Sequence, residues 1–418
     1  MKSLQEIINE RVAFGAWCVF EPELTDLERC KRAADMGLDY GYATITPENY
    51  QQVLDNCEKA GLRILAFVPG VQNLPADRSY MIEKIIAPFK NHPAYAGAAL
   101  RDEPGVADFP RLKMHTDSHR AAAPDKIAMV NLFPMYASKD QLGGVNYTTY
   151  VNRFAEEVDD EILSYDFYPL YGQDGVGTWV QDNYLRNFEI VAREARRHGS
   201  QLWYFIMTLA FNYILRDPGE KDVRFQIFCA LSFGARVIQL FTYGTPGNGD
   251  EYFEDSIIDR NGKATFRYDI NKKIIAEFNS WTGRYVPYTW VGCMTRGKEK
   301  NDMGHEFDVV FPGGIVHKTR LAGTYMDMDH ELKAFASVKD FSGDAPLLMG
   351  CFEKDGGEAF TLVNMTDPGK DRAVHGKVAF AGPVKLRVSG MRETYEVDCD
   401  GVWDVTLDAG EGVFVEIL

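Results

Sequence analysis

Eight short apolar segments recur along the first two-thirds of the chain, and segments with helical periodicity separate them. They cover residues 13–18, 39–44, 63–68, 96–101, 127–132, 162–167, 202–207 and 236–241. Their spacing, about 24 to 40 residues from start to start, is that of a strand–loop–helix–loop unit. Nearly continuous apolar strands that alternate with helices predict a parallel sheet covered on both faces. The count of eight favours a closed (β/α)8 barrel over an open, doubly wound sheet.

Helical periodicity is clearest in three of the intervening segments, where apolar residues recur at positions i, i+3 and i+4. These segments are Leu24–Met36, Glu48–Ala60 and Val180–His198. A glycine directly follows each of them, as with Gly61 and Gly199. Glycine is favoured just past a helix end because it adopts the left-handed backbone of a cap.

The pattern changes after residue 286, where short alternating strands replace the strand–helix units. The predicted strands are Phe307–Phe311, Glu358–Val363, Val384–Val388, Val402–Leu407 and Gly412–Ile417. Gly, Asp and Pro residues separate them, which is typical of an antiparallel β-sandwich. We therefore expect a barrel domain over residues 1–286 and a β-sandwich domain over residues 287–418.

Composition limits the partners and the compartment. The chain has 45 Lys and Arg against 61 Asp and Glu, a formal charge of −16, which disfavours nucleic acids and anionic membranes as partners. No stretch is apolar enough for a membrane span or a signal peptide. The sequence as given therefore predicts a cytoplasmic protein, or a periplasmic one if a signal peptide was removed. Seven cysteines without a CxxC pair predict free thiols.

Cofactor and metal motifs are missing from the sequence. No GxGxxG follows the first strand, and the glycine-rich stretch 244–249 lacks the lysine of a phosphate-binding loop. His115 and His119 have the i, i+4 spacing of zinc ligands, but no HExxH surrounds them and their segment is polar. We expect both histidines on a solvated helix face, and neither a metal nor a cofactor. No GxSxG motif supports a serine hydrolase either.

Carboxylates and aromatic residues gather at the predicted strand ends. Asp102 and Glu103 directly follow the fourth strand, and barrel enzymes carry their active sites at the carboxyl ends of the strands. Candidate substrate contacts at the other strand ends and in the loop after strand eight are Trp17, Tyr42, Asn131, Tyr168, Tyr171, Trp203, Tyr243 and Glu251. Rings that stack on sugar C–H groups, together with carboxylates and amides that bond hydroxyls, suit an oligosaccharide or glycoside substrate. Any one of these rings could instead fill the barrel core.

Cleavage of a glycosidic bond needs a carboxylic acid that protonates the leaving oxygen and a second carboxylate across the sugar ring. We predict that Glu103 is the acid, because Asp102 and an apolar barrel wall would raise its pKa. Asp166, two strands away, is the candidate second carboxylate, although it could instead bond loop amides. Alternative partners for Glu103 are Glu251, Glu254 and Glu21.

Several segments resemble the (β/α)8 glycoside hydrolases of bacterial carbohydrate loci. The segments are Arg101-Asp102-Glu103-Pro104, Ser164-Tyr165-Asp166-Phe167-Tyr168-Pro169, Phe241-Thr242-Tyr243, and 258–265 before the last barrel helix. Residues 356–364 and 408–412 are similar to their C-terminal sandwich. The likeness covers nearly the whole chain at the level of the superfamily. It implies a general acid at Glu103.

Two features depart from the largest clan of these enzymes, which has Asn-Glu after strand four and a Glu nucleophile after strand seven. This chain has Asp-Glu after strand four, and its seventh strand ends in Met207-Thr208-Leu209 without an acid. An Asp-Glu pair also occurs in hexosaminidases, whose substrate supplies its own acetamido nucleophile. In that alternative Asp102 orients the acetamido group and Asp166 or Tyr168 assists. A further alternative is a non-catalytic carbohydrate-binding barrel.

Overall fold

The computed structural model describes residues 1–17, 26–173, 176–249, 251–298, 307–311, 315–319, 324–328 and 335–418. Three features named above lie outside these ranges. They are Cys18, the alternative partner Glu21 and the first residues of the predicted helix at Leu24.

Eight parallel strands close into a barrel in the first two-thirds of the chain. The strands of this part are β1 (Ala13–Ala16), β2 (Tyr40–Thr44), β3 (Arg63–Phe67), β4 (Tyr95–Asp102), β5 (Ile127–Leu132), β6 (Ile162–Asp166), β7 (Leu170–Gln173), β8 (Gly177–Val180), β9 (Gln201–Met207) and β10 (Ala235–Phe241). Around the barrel they follow the order β1-β10-β9-β6-β5-β4-β3-β2. All eight predicted barrel strands are confirmed to within about two residues at each end. The antiparallel hairpin of β7 and β8 was not predicted.

Helices cover the outside of the barrel between consecutive strands. They are α1 (Leu4–Glu10), α2 (Leu27–Asp35), α3 (Tyr50–Ala60), α4 (Pro69–Gln72), α5 (Ile82–Ile86), α6 (Phe109–Ala122), α7 (Tyr147–Glu157), α8 (Tyr184–His198), α9 (Glu220–Ser232), α10 (Phe266–Asn279) and α11 (Thr282–Tyr285). Gly61 and Gly199 end α3 and α8 in the left-handed conformation, with φ of 79° and 71°. The predicted helix over 180–198 begins only at Tyr184, because Val180 pairs with β7.

The barrel interior is filled by aromatic side chains, and one strand position must stay small to admit them. A Cβ atom at Gly15 would lie 2.0 Å from Cζ of Tyr40, so only glycine lets this ring cross β1. The Tyr40 ring lies 5.9 Å from the Trp203 ring and 5.7 Å from the Tyr42 ring, measured between centroids. This packing closes the barrel below its mouth, as in other barrels of this size.

Antiparallel sheets form the C-terminal part, as predicted. The strands are β11 (Thr289–Arg296), β12 (Phe307–Phe311), β13 (Ile315–Thr319), β14 (Val338–Gly343), β15 (Leu347–Lys354), β16 (Gly357–Asn364), β17 (Val374–Phe380), β18 (Val384–Ser389), β19 (Thr394–Cys399), β20 (Val402–Leu407) and β21 (Gly412–Ile417). A six-stranded sheet, β11-β15-β16-β21-β18-β19, accompanies a three-stranded sheet, β14-β17-β20, and β12 pairs with β13. Buried Leu347, Phe360 and Trp403 belong to an apolar core that the six-stranded and three-stranded sheets share. The five predicted strands are confirmed, and the others were missed.

The six-stranded sheet packs against α9 on the outer surface of the barrel. Ser232 and Thr361 hydrogen bond through their hydroxyls at 2.7 Å across this contact. Arg216 of the barrel bonds both Asp222, at 2.6 Å, and Asp367 of the C-terminal part, at 2.7 Å. The barrel and the sheets therefore bury a common surface, while the division at residues 286/287 stays a prediction.

The two histidines of α6 are buried, whereas the sequence predicted them on a solvated helix face. His115 and His119 are fully buried on α6 rather than solvated. The expectation was wrong because α6 packs this face against α5 and β4. Burial lowers the pKa of His119 to about 4, and its Nε2 lies 3.0 Å from the Tyr95 hydroxyl. The six cysteines within the described ranges are buried and form no disulfide there, and no helix in those ranges is long and apolar enough to cross a membrane.

Candidate active site

A cavity of about 370 Å³ opens at the carboxyl ends of the barrel strands. The polar part of the lining is formed by Asp102, Glu103, Asn131, Asp166, Asn212 and Glu251. The rest of the lining is aromatic or aliphatic and comprises Trp17, Tyr136, Tyr168, Tyr171, Phe205, Phe211, Ile214, Leu215 and Phe241. A cavity lined by both polar and apolar side chains matches the two kinds of surface that a sugar ring presents.

The cavity brings together most of the residues selected from the sequence. All three predicted catalytic carboxylates line it, as do five predicted substrate contacts, namely Trp17, Asn131, Tyr168, Tyr171 and Glu251. Of the alternative partners for Glu103, Glu251 lines the cavity and Glu254 does not. Glu254 is exposed, and its backbone N–H donates to the carbonyl of Ala210 at 3.0 Å.

Three predicted substrate contacts lie behind the cavity wall instead. Tyr42 is buried, its hydroxyl donates to Gln239, and its ring lies 4.9 Å from the Trp17 ring that covers it. Trp203 is fully buried near the start of β9, whereas Phe205, two residues later on the same face, reaches the cavity. Tyr243 is also buried, with an exposed fraction of 3%. Strand ends were located too coarsely in the sequence to separate the layers of the barrel interior.

Asn131 at the end of β5 connects two of the carboxylates. Its Nδ2 donates to Oδ1 of Asp102 at 3.2 Å and to Oδ1 of Asp166 at 2.9 Å. Because both oxygens share one nitrogen, they lie at most about 6.1 Å apart, the sum of the two bond lengths. A donor that contacts both carboxylates favours their ionised forms.

A chain of buried hydrogen bonds fixes the orientation of the Asn131 amide. Ser164 Oγ donates to Asn131 Oδ1 at 2.9 Å, so the amide nitrogen must face the carboxylates. Gln239 Nε2 donates in turn to Ser164 Oγ at 2.9 Å. The hydroxyls of Tyr40 and Tyr42 both donate to Gln239 Oε1, which holds that amide in place. The chain crosses the barrel interior and preorganises the polar part of the cavity lining.

Glu103 follows β4 on a strained backbone. Its φ is 46°, in the left-handed region that non-glycine residues rarely adopt, and its N–H donates to the Asn131 carbonyl at 2.8 Å. Burial, and then the charges of Asp102 and Glu251, raise the pKa of Glu103 to about 7. Within the described ranges, no side chain or backbone group donates a hydrogen bond to its carboxylate. Within those ranges, no hydrogen bond therefore stabilises the ionised carboxylate of Glu103 against its protonated form.

Asp166 at the end of β6 is the most buried of the three carboxylates, with an exposed fraction of 7%. Burial and the charges of Glu103 and Asp102 raise its pKa, and the hydrogen bond from Asn131 opposes that rise. Asp102 is exposed at the cavity, yet desolvation by the protein around its carboxyl group raises its pKa as well. Because the charge on Glu103 raises the pKa of Asp166, and the pKa of Glu103 is itself about 7, the two groups do not both ionise fully near neutral pH.

Several residues that line or support the cavity were not predicted from the sequence. Phe211, Asn212, Ile214 and Leu215 come from the loop after β9, whose sequence carries no motif. Ser164 and Gln239 are recognisable in the sequence, since each is a polar residue inside an otherwise apolar strand. Among the described residues, no group of three or more His, Cys, Asp or Glu side chains could hold a metal ion.

Comparisons with known proteins concern the fold. No protein-family model matches the chain, and no curated protein matches it in sequence. A family 39 glycoside hydrolase from Bacteroides cellulosilyticus has a similar structure (TM-score 0.52, 13% identity, 98% of this chain and 82% of that one). A family 42 β-galactosidase from G. stearothermophilus is also similar (0.55, 8%, 98% of each chain).

A β-galactosidase from the psychrophilic Marinomonas ef1 is similar over a smaller part (TM-score 0.51, 13% identity, 67% of this chain). This chain spans 62% of the length of that enzyme, which is less than two thirds. The resemblance to barrel glycoside hydrolases that the strand endings indicated is thus confirmed at the level of the fold. At these identities the comparisons say nothing about substrate or catalytic residues.

Proposed function

We propose that the protein is a glycoside hydrolase in which Glu103 is the general acid and Asp166 the second catalytic carboxylate. The observation that carries the proposal is the pair of raised pKa values in one sugar-sized cavity at the carboxyl ends of the barrel strands. Glycosidic bond cleavage needs one protonated and one ionised carboxyl group on the same sugar.

The hydrogen-bond donors of the site support this assignment of roles. Asn131 donates to Asp166 and Asp102 and so stabilises their carboxylates, whereas Glu103 has no such donor within the described ranges. Both pKa values are raised, and we assign the retained proton to Glu103 because its carboxylate lacks the donor that Asp166 has. Glu103 transfers this proton to the leaving oxygen as the glycosidic bond breaks, while Asp166 attacks the anomeric carbon or activates water.

The test compares wild type with Glu103→Gln and Asp166→Asn on a panel of glycosides. The panel contains 2,4-dinitrophenyl glycosides, which need no protonation, and the matching disaccharides, which do. We expect Glu103→Gln to lower kcat by about 10² or more on the disaccharides and by far less on the aryl glycosides. Asp166→Asn should lower kcat on both. Glu254→Gln serves as the matched control outside the cavity.

Two results would contradict the roles. Equal losses on both substrate types, or none, would remove the acid role of Glu103. Wild-type turnover in Asp166→Asn would remove its role and favour Glu251 as the partner. Activity restricted to N-acetylhexosaminides would point to the substrate's acetamido group as nucleophile, with Asp102 orienting it.

A second candidate function is carbohydrate binding without catalysis. It is favoured by the wall at β9, where Phe205 lines the cavity and the strand ends at Met207 without a carboxylate. Sugar binding in calorimetric titrations, with no turnover of any glycoside on the panel, would support this function over hydrolysis.

A further inference from the structure

Two tyrosines stack on each other at the rim of the cavity. The rings of Tyr213 and Tyr252 are parallel to within 10° and their centroids are 4.5 Å apart. Tyr213 nevertheless remains 55% exposed, so its exposed surface lies on the edge and on the face that Tyr252 does not cover. The pair therefore presents a flat aromatic surface to solvent.

Hydrogen bonds fix this pair to the cavity wall. The N–H of Asn212 donates to the Tyr252 carbonyl at 2.8 Å, and the N–H of Tyr252 donates to Asn212 Oδ1 at 3.2 Å. Asn212 Nδ2 also donates to Oε1 of Glu251 at 3.1 Å. Asn212 and Glu251 line the cavity, and each is adjacent in sequence to one of the tyrosines. The aromatic surface thus borders the cavity and is held by the two loops that follow β9 and β10.

The backbone at this rim is strained. Asn212 and Tyr213 have φ angles of 55° and 58°, and the left-handed region is unfavourable for a large side chain such as tyrosine. Glycine would adopt this conformation freely. Packing of the barrel core does not explain an exposed ring in such a position, because the ring contributes little buried surface.

The geometry points to an outer binding site for a second sugar ring, formed by Tyr213 with Tyr252 behind it. This inference rests on the proposed function, and it narrows the substrate class to oligosaccharides or glycosides of at least two sugar units. The first sugar occupies the cavity, and the C–H face of the next ring packs on the Tyr213 ring. Asn212 and Glu251 lie between the two positions, where they can bond sugar hydroxyls.

The test measures how binding depends on chain length. Gluco-, galacto-, manno- and xylo-configured mono-, di- and trisaccharides are titrated by calorimetry into the Glu103→Gln variant, with and without Tyr213→Gly. Glycine removes the ring and relieves the strained φ, so folding is maintained. We expect Tyr213→Gly to weaken di- and trisaccharide binding about tenfold, because the second ring loses its apolar contact. Monosaccharide binding should change by less than twofold.

Two further variants complete the test. Tyr213→Phe keeps the ring and should retain the di- and trisaccharide affinity. Tyr395→Ala removes an exposed tyrosine from β19 of the C-terminal sheet and should have no effect.

Three results would overturn the outer site. The first is an equal loss of affinity for mono- and trisaccharides in Tyr213→Gly, and the second is no loss of affinity at all. The third is that, with Tyr213 intact, none of the four sugar series binds more tightly as its length increases. A change in oligomeric mass with unchanged sugar affinity would also overturn it, since the ring pair would then contact protein. Length-dependent binding that Tyr213→Gly abolishes, in a protein that hydrolyses no glycoside, would support the outer site and overturn the proposed hydrolysis.

Discussion

Replacing Glu103 by glutamine should stabilise the folded protein at alkaline pH while it impairs the proposed catalysis. The pKa of Glu103 is about 7 in the folded protein against an ordinary 4.5, mainly because of burial. A raised carboxyl pKa means that folding disfavours the charged form, so the unfolded chain releases this proton first. Ionisation of Glu103 therefore costs no stability below pH 4.5. The free energy of unfolding declines as the pH rises from 4.5 to about 7, and it stays lower above pH 7.

The size of this effect follows from the two pKa values. A difference of about 2.5 pH units between 4.5 and 7, at about 1.36 kcal/mol each, gives about 3 kcal/mol lost at pH 8. At pH 5 only about 1 kcal/mol is lost, because this pH lies only about half a unit above the pKa of the unfolded carboxyl group. Glutamine cannot ionise and avoids both losses. Its stabilising effect should grow by about 2 kcal/mol between pH 5 and pH 8.

The assay is urea denaturation followed by circular dichroism at both pH values, with wild type and Glu103→Gln compared at equal m-values. Comparing the two pH values cancels any packing difference of the glutamine that does not depend on pH. Glu353→Gln, at an exposed position on β15, is the matched control and should show no growing difference. A gap between Glu103→Gln and wild type that stays constant or shrinks from pH 5 to pH 8 would refute the reasoning.

Two further predictions concern the pH profile and the C-terminal sheets. The charge of Glu251 raises the pKa of Glu103, so Glu251→Gln should move the alkaline fall of kcat/KM to lower pH. Glu254→Gln, the control, should leave the pH profile unchanged. An unchanged profile in Glu251→Gln would contradict the prediction. Residues 1–286 alone should be insoluble or unstable, because removal of the C-terminal sheets exposes the buried side chains of Phe228 and Trp281. Expression tests measure the solubility of this fragment, and turnover assays measure its activity. A soluble fragment with full activity would contradict the prediction.

The barrel could be predicted because its strands are buried on both faces, which leaves a continuous apolar segment in the sequence for each strand. Strands of the C-terminal sheets were harder, since edges and half-exposed faces interrupt the apolar pattern. β14, with only Val338 and Phe341 buried, carries too little of a pattern to be selected. The hairpin of β7 and β8 was missed because Trp179 and Val180 also fit the apolar positions of the helix that follows.

The candidate site was predictable where a carboxylate directly follows a strand, as at Asp102, Glu103 and Asp166. Site residues were not predictable where membership of the site depends on how deep a side chain lies inside the barrel. Trp203 and Phe205 differ by one period of the same strand face, yet only Phe205 reaches the cavity. Loop residues such as Asn212 reach the cavity through tertiary hydrogen bonds, and no local pattern encodes those bonds.

The polar chain from Tyr40 and Tyr42 to Asn131 is the strongest argument that this barrel serves a reaction rather than its own stability. Buried amides and hydroxyls such as Gln239 and Ser164 gain little net free energy over apolar residues, even when fully bonded. What the chain achieves is an orientation, because it turns the Asn131 nitrogen toward Asp166 and Asp102. That donor opposes the rise in the pKa of Asp166 that burial and the charges of Glu103 and Asp102 cause. An oriented donor to Asp166 that Glu103 lacks serves the proposed acid–base chemistry and is of little use to a structural core.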